Sequence, residues 1–404
     1  MIPRGGGFSK PLPDGVGPGT LGVRGGLNRS GFEENAEALY LTSGFVYGSA
    51  EAAEKAFTGD VDHFVYSRYG NPTVSMFEER IRLLDGAEAA FATSSGMSAV
   101  FTALGALLKA GDRLVAARSL FGSCFVVCNE ILPRWGVETV FVDGEDLDQW
   151  EQALSVPTTA VFFETPSNPM QSLVDVRRVV ELAHAAGAQV VLDNVFATPI
   201  LQRSFDLGAD VVVYSGTKHI DGQGRVLGGA ILGSQEFIDG PVQTLMRHTG
   251  PALSPFNAWT LLKGLETMAL RVQRMTASAL AVAEFLETQS GISWVRYPYL
   301  ESHPQHELAM SQMSGGGTVV TFELEGGKER AFRFLNGLKI VDISNNLGDA
   351  KTMTTHPATT THRSMGPEGR AAVGISDGVV RISVGLEDVA DLLGDVEGAL
   401  AGGA

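Results

Sequence analysis

Cysteine is nearly missing from this 404-residue chain: Cys124 and Cys128 are the only two. Two thiols four apart in a helical stretch share a face and build neither a disulfide framework nor a four-ligand zinc site, so they read as reduced core residues. Long apolar runs are lacking as well. No stretch reaches the ~20 residues that a bilayer-crossing helix needs. The opening MIPRGGGFSKPLPDGVGPGT lacks the apolar run of a secretory leader, so a cytoplasmic protein with no membrane partner is expected. Positive charge is in deficit, with 30 Lys and Arg against 46 Asp and Glu and a net charge of −16. That balance argues against a nucleic-acid partner and leaves any anionic ligand dependent on local cations. A metal site is not expected either. His356 and His362 stand in a Pro/Thr-rich loop without a third ligand, which suits a channel wall or a polar surface better.

What is present is the composition of a globular protein, 44% hydrophobic and 19% charged. Its length suits a large cofactor domain and a smaller one. Residues 1–60 are rich in Gly and Pro without sustained periodicity and read as an arm contacting a neighbouring subunit. Over 61–260, short apolar runs alternate with amphipathic stretches: LVAA at 114–117, TVFVD at 139–143, AVFFE at 160–164, VVLD at 190–193 and VVVYS at 211–215. This alternation predicts an α/β domain built on a mostly parallel sheet covered on both faces. A long helix from about Asn257 to Glu287 opens the last part, 261–404, where TVVTFELE, a helix, VVRISVG and a final helix read as a smaller α+β domain. Ligands of such sheets sit beyond the carboxyl ends of the strands, which singles out Glu164, Asp193 and Ser215.

VVVYSGTKHI places Lys218 just past a buried strand, after Ser215 and Thr217. An isolated lysine there is ordinarily a surface turn residue. Beside phosphate donors, and partly desolvated so that its amine is neutral, it suits the residue that carries pyridoxal 5'-phosphate (PLP) as a Schiff base. Asp193 can pair with the pyridine nitrogen and keep it protonated, although Asp before Asn194 is also a common cap. In FATSSGMSAVFTALGALL, the backbone N–H groups of Gly96 and Met97 can meet a phosphate at a helix start. Phe121 in SLFGS can lie flat on the ring, where the ordinary alternative is a core aromatic.

Together with YSRYGNPT at 66–73, SSGMSA at 94–99, ETPSNP at 164–169, YSGTKHIDGQG at 214–224 and RISVGLED at 381–388, these segments identify a resemblance. From about residue 20 onward the chain resembles the trans-sulfuration (Cys/Met metabolism) family of PLP enzymes. The resemblance implies the type I, aspartate aminotransferase-like fold of PLP-dependent transferases and a homo-oligomer, a tetramer formed as a dimer of dimers. It implies that Tyr66 and Arg68 reach the cofactor phosphate of the adjacent subunit, with Tyr66 also activating the substrate amine. It places Asn168 on the ring's phenolic oxygen, Arg381 on the substrate α-carboxylate, and Ser344 near the lysine or that carboxylate.

Phe121 stands where lyases of the family have tyrosine, which excludes a hydroxyl role there, and Ser123 stands where methionine γ-lyases have cysteine. The segments 346–362, 221–229 and 194–199 are most similar to O-succinylhomoserine sulfhydrylases. The implied reaction is a γ-replacement: Lys218 removes the Cα proton, succinate leaves, and hydrogen sulfide adds to give homocysteine for methionine biosynthesis. Cysteine as nucleophile (a cystathionine γ-synthase), an acetyl leaving group, and a non-catalytic PLP-binding protein are the alternatives. Arg118 and Arg363 are candidates for the distal succinyl carboxylate. Two other motifs are set aside. GISDG at 374–378 matches a nucleophile elbow at Ser376, but no histidine follows it. GQGRVLG at 222–228 has its third glycine out of place for a dinucleotide loop.

Overall fold

A computed structural model describes residues 12–402. The first eleven residues, on which the reading of a missing leader partly rests, lie outside them. The strands in chain order are β1 (Ala89–Thr93), β2 (Arg113–Ala117), β3 (Glu138–Val142), β4 (Ala160–Glu164), β5 (Gln189–Asp193) and β6 (Val211–Ser215), followed by β7 (Gly229–Gly233), β8 (Ile292–Arg296), β9 (Val319–Leu324), β10 (Asp342–Ile343), β11 (Met353–Thr355) and β12 (Val379–Ser383). They fall in two compact units. One gathers the chain up to Leu107, Asp210–Asp221 and Arg225–Ala269. The other gathers Leu108–Ala209, Gly222–Gly224 and the chain from Leu270 on.

In the first unit β7 pairs antiparallel with both β1 and β6. Neither β1 (AAFAT) nor β7 (GAILG) stands out in the sequence, because Ala and Gly carry little strand propensity. Burial on both faces makes them strands, since every residue of each is buried. The helix Pro72–Asp85 starts where Asn71 accepts from the amides of Thr73 and Val74 and Pro72 needs no donor. The expected arm contains two helices, Pro18–Arg24 and Ala50–Thr58, the second capped by Ser49. It is also tied down. Fully buried Arg80 donates to the carbonyls of Gly25 and Leu262 at 2.7 and 3.2 Å and pairs with Glu37, whose other oxygen accepts from Lys263 at 2.7 Å. Gly264 is required because a Cβ would stand 2.1 Å from the Ile220 carbonyl oxygen.

In the second unit β3, β2, β4 and β5 pair in parallel in that order, the sheet that the apolar runs predict. Helices follow the strands, with Asp146 and Asp175 capping Leu147–Ala153 and Val176–Ala185. A second sheet, ordered β10-β11-β12-β9-β8, packs on the helices Gly327–Gly337 and Val389–Gly402. There Phe322 and Phe334 meet edge to face at 5.5 Å inside an apolar cluster. Each such buried ring stabilises the fold by roughly 1.5–3 kcal/mol. The long helix runs Pro255–Glu287. No helix of the described residues is long and apolar enough to cross a membrane.

Candidate active site

In the first unit, β6 ends at Ser215 and the chain enters a tight turn, Gly216–Ile220, in which Lys218 departs from helical geometry at φ −89°, ψ −127°. Gly96, the first residue of the helix Gly96–Leu107, lies against Ser215: a Cβ at position 96 would be 2.6 Å from the Ser215 Cβ and 2.9 Å from its Oγ. Only glycine allows this approach, which places the start of that helix, with Met97 next in line, beside the end of β6. Thr217 Oγ1 accepts from the Gly228 amide at 3.3 Å. Tyr66 is 42% exposed. The Arg68 guanidinium lies 5.4 Å from its ring centroid and 4.8 Å from that of Tyr69, while Arg247 lies 5.1 Å from Tyr69 on its own account. Arg68 also donates to the Arg247 carbonyl. Tyr69 and Arg247 escape the sequence reading, since a lone Arg in a polar helix carries no signal.

In the second unit the site residues gather at the carboxyl ends of β2, β4 and β5. Glu164 and Asp193 are register partners on adjacent strands. One Glu164 oxygen accepts from the Asn168 amide at 2.8 Å and the other from the Phe121 amide at 3.0 Å, so this carboxyl fixes two turns at once. Burial, and then the nearby Asp193, push it up to about 8. Burial pushes Asp193 up to about 6, against one hydrogen bond from the Val195 amide at 3.1 Å. Phe121, 36% exposed, precedes a short helix, Gly122–Val126.

Arg381, on β12 and 1% exposed, donates through Nη1 to Asn168 Oδ1 at 2.9 Å and through Nη2 to the carbonyls of Asn345 and Asn346 at 2.9 and 3.1 Å. Its Nε has no partner among the described residues. Burial lowers it to about 10, which leaves it protonated at neutral pH. His362 meets the Asn168 carbonyl at 3.2 Å, and burial followed by the Arg381 charge lowers it to about 4, so it is neutral. Ser344 lies just past β10, where its hydroxyl accepts from the Asn346 amide at 3.3 Å and shapes the turn that holds Arg381.

The other sequence candidates separate. Arg118, directly after β2, lines a cavity of about 210 Å³, whereas Arg363 is exposed in a short turn. His356 is held by Thr359 at 2.9 Å and the Asp377 carbonyl at 2.8 Å, and Ser376 donates to Glu323. Both cysteines are buried, and burial raises the Cys128 thiol to about 12, which leaves it inert.

A family model described as Cys/Met metabolism PLP-dependent enzyme matches residues 19–401. The chain belongs to this family. This PLP-dependent enzyme is 74% identical over 396 residues to the O-succinylhomoserine sulfhydrylase of Mycobacterium tuberculosis, covering 97% of this chain and 98% of that protein. It is 49% identical over 382 residues to the protein of the same name from Pseudomonas aeruginosa, covering 95% and 94%. Among solved structures it resembles a putative O-acetylhomoserine (thiol)-lyase from Campylobacter jejuni that carries N'-pyridoxyl-lysine-5'-monophosphate. The TM-score is 0.91 at 29% identity, over 96% of this chain and 100% of that one.

The fold is thus the α/β fold of PLP-dependent Cys/Met enzymes, and the cofactor is pyridoxal phosphate. The residues present fit that cofactor. Gly96 leaves backbone open where a side chain would close it, and Asp193 is a desolvated carboxylate that a pyridinium would stabilise. Arg381 is a buried cation with an orphaned Nε and, among the described residues, no ion-paired carboxylate.

Proposed function

We propose that this enzyme is an O-succinylhomoserine sulfhydrylase, which converts O-succinyl-L-homoserine and hydrogen sulfide to L-homocysteine and succinate. The observation that carries this reading is the 74% identity across 97% of the chain to a protein of that name. When bound, the cofactor supplies an electron sink that acidifies the substrate's Cα and Cβ hydrogens. Lys218 would hold it through Nζ, and the same nitrogen, once free, would take the Cα proton.

Asp193, raised by burial to about 6, would carry the negative charge that favours a protonated ring nitrogen. Asn168 has its Oδ1 committed to Arg381, so its Nδ2 is the group left to donate to the phenolic oxygen. Arg381 takes the α-carboxylate, the anion that its buried charge lacks, and Ser344 supports the turn beneath it. Gly96, Met97, Ser215 and Thr217 provide donors for the phosphate. Phe121 offers a ring face and no proton.

The proposal includes the oligomer, a dimer of dimers in which Tyr66 and Arg68 complete the neighbouring subunit's phosphate site and Tyr66 activates the incoming amine. Exposed Phe32 (95%), Val46 (92%) and Leu41 (68%) support it, because an arm so rich in bare apolar side chains calls for a cover. It also includes the division into arm, large domain and C-terminal domain. A cytoplasmic location is part of it too, which the two free cysteines suit.

The test is a competition. PLP-loaded enzyme receives O-succinylhomoserine with sulfide and cysteine at equal concentration, and products are identified by mass. Homocysteine in excess is the expected result. Mainly cystathionine would move the enzyme to γ-synthase chemistry, and neither thiol product would sink the reading.

A further inference from the structure

We infer that Arg118 and Arg296 hold the distal carboxylate of the succinyl leaving group, in the cavity that Arg118 lines. The inference rests on the succinyl ester being the substrate. The cavity, about 210 Å³, is bounded by Arg118 and Ser119 past the end of β2, Asp143 and Glu145 past β3, Met170, and Arg296 at the end of β8. A smaller recess is also lined by Arg118, Ser119 and Met170, and adds Asn168 and His362. The recess beside Asn168, whose side-chain oxygen accepts from Arg381, and the cavity with the two arginines thus share Arg118, Ser119 and Met170 as lining.

Its charges are unequally satisfied. Asp143 Oδ1 accepts from the Glu145 amide at 3.1 Å. The Glu145 carboxyl, bonded to the Ser172 side chain, is pushed up first by burial and then by Asp143. His303 is held by the Gln171 carbonyl and the Gln305 amide at 3.2 and 3.1 Å, and burial followed by Arg296 lowers it to about 4, so it adds no charge.

Of the two arginines, Arg118 lacks an anion and Arg296 acts on Glu145 without a direct ion pair. Among the described residues the Arg118 guanidinium makes no hydrogen bond or ion pair; its backbone amide donates to the Val142 carbonyl at 2.8 Å and its carbonyl accepts from the Leu120 amide at 3.0 Å. Arg296 lies 5.2 Å from the Trp294 ring and, among the described residues, forms no ion pair, although its charge favours the ionised form of the Glu145 carboxyl. An unpaired Arg118 beside Arg296, which has no direct ion pair among the described residues, suits a planar anion, which each guanidinium can take in bidentate fashion. A succinyl ester supplies one at the end of a short arm, the α-carboxylate being taken by Arg381. An acetyl ester supplies none.

The experiment uses the PLP-loaded enzyme and its Arg118→Gln variant, with kcat/KM measured for the succinyl and acetyl esters of homoserine and sulfide as nucleophile. The succinyl-to-acetyl ratio is expected to fall roughly tenfold to hundredfold in the variant, the worth of a charged hydrogen bond. Inhibition by free succinate should weaken in step. A ratio that holds within about twofold (roughly 0.4 kcal/mol) overturns the inference. Should R118Q fail to fold, Arg296→Gln carries the same ratio. Should the parent turn over neither ester, the proposed function fails. Succinate binding measured by calorimetry, weakened by R118Q or not, still decides whether the cavity is a carboxylate site.

Discussion

In the unit that carries Lys218, the site is made by close approach. A Cβ at Gly96 would come within 2.6 Å of Ser215, and the lysine follows a strand with no carboxylate among Ser215, Gly216 and Thr217. In the unit that carries Arg381, the site is made by charge. There a buried guanidinium, two carboxyls displaced upward by burial and a neutral imidazole surround Asn168 and the ends of β4 and β5. The first fails when a methyl group is added, because there is no room for it between Gly96 and Ser215. The second tolerates little loss of polarity and feels pH directly, because desolvation sets its protonation states.

The largest effect expected is at Lys218. Lys218→Ala removes both the cofactor tether and the Cα base, and homocysteine formation should fall by roughly 10²–10⁴-fold or more. Rates close to the parent's would show that another base works in its place. Arg381→Lys tests the charged half. A single ammonium cannot reach three acceptors in the same geometry, so KM for the ester should rise. Urea unfolding should register about 1–3 kcal/mol for each acceptor left bare. A change in kcat alone, with KM intact, would argue that Arg381 does not hold substrate.

Gly96→Ala tests the close-packed half, and overpacking against Ser215 should cost about 1–3 kcal/mol. Cofactor affinity, read by absorbance titration, should drop by the same amount at pH 6 and pH 8. A drop that varied with pH would break the contrast between the halves.

Glu164→Gln is expected to be the gentlest change and the one most sensitive to pH. The Glu164 carboxyl sits at about 8 in the folded chain against an ordinary value of 4.5. Between these values the folded protein keeps a proton that the unfolded chain has released, so the contribution of Glu164 to stability is lost as pH rises through that window. A glutamine cannot titrate. The variant's unfolding free energy should therefore decline less between pH 5 and 8 than the parent's, by an amount on the order of 1–2 kcal/mol after the loss of one accepted hydrogen bond is set aside. Parallel curves would show that Glu164 is ionised throughout.

Much of the fold is legible because its strands are short and apolar: β4 and β6 coincide with AVFFE and VVVYS. Strands made of Ala and Gly are not, since nothing local marks them. Family motifs carry Lys218, Asp193, Asn168 and Arg381 as residue types. They carry nothing about Glu164 joining two turns, or about the carbonyls of Asn345 and Asn346, because a backbone acceptor has no letter in the sequence. Arg118 and Arg363 are equivalent on paper. They differ in space because one follows a buried strand and the other sits in an exposed turn.

The buried Arg80 ties the segment from Gly25 to Glu37 to the helix Pro72–Asp85 and to Leu262. Lifting that segment would take the Glu37 carboxylate and the Gly25 carbonyl from a fully buried cation and leave it only the Leu262 carbonyl and Glu266 at 3.8 Å, so the segment does not fray as a free tail would. Amide hydrogens along residues 25–37 and in the helix Pro72–Asp85 should then exchange with one shared opening free energy, as a single cooperative unit.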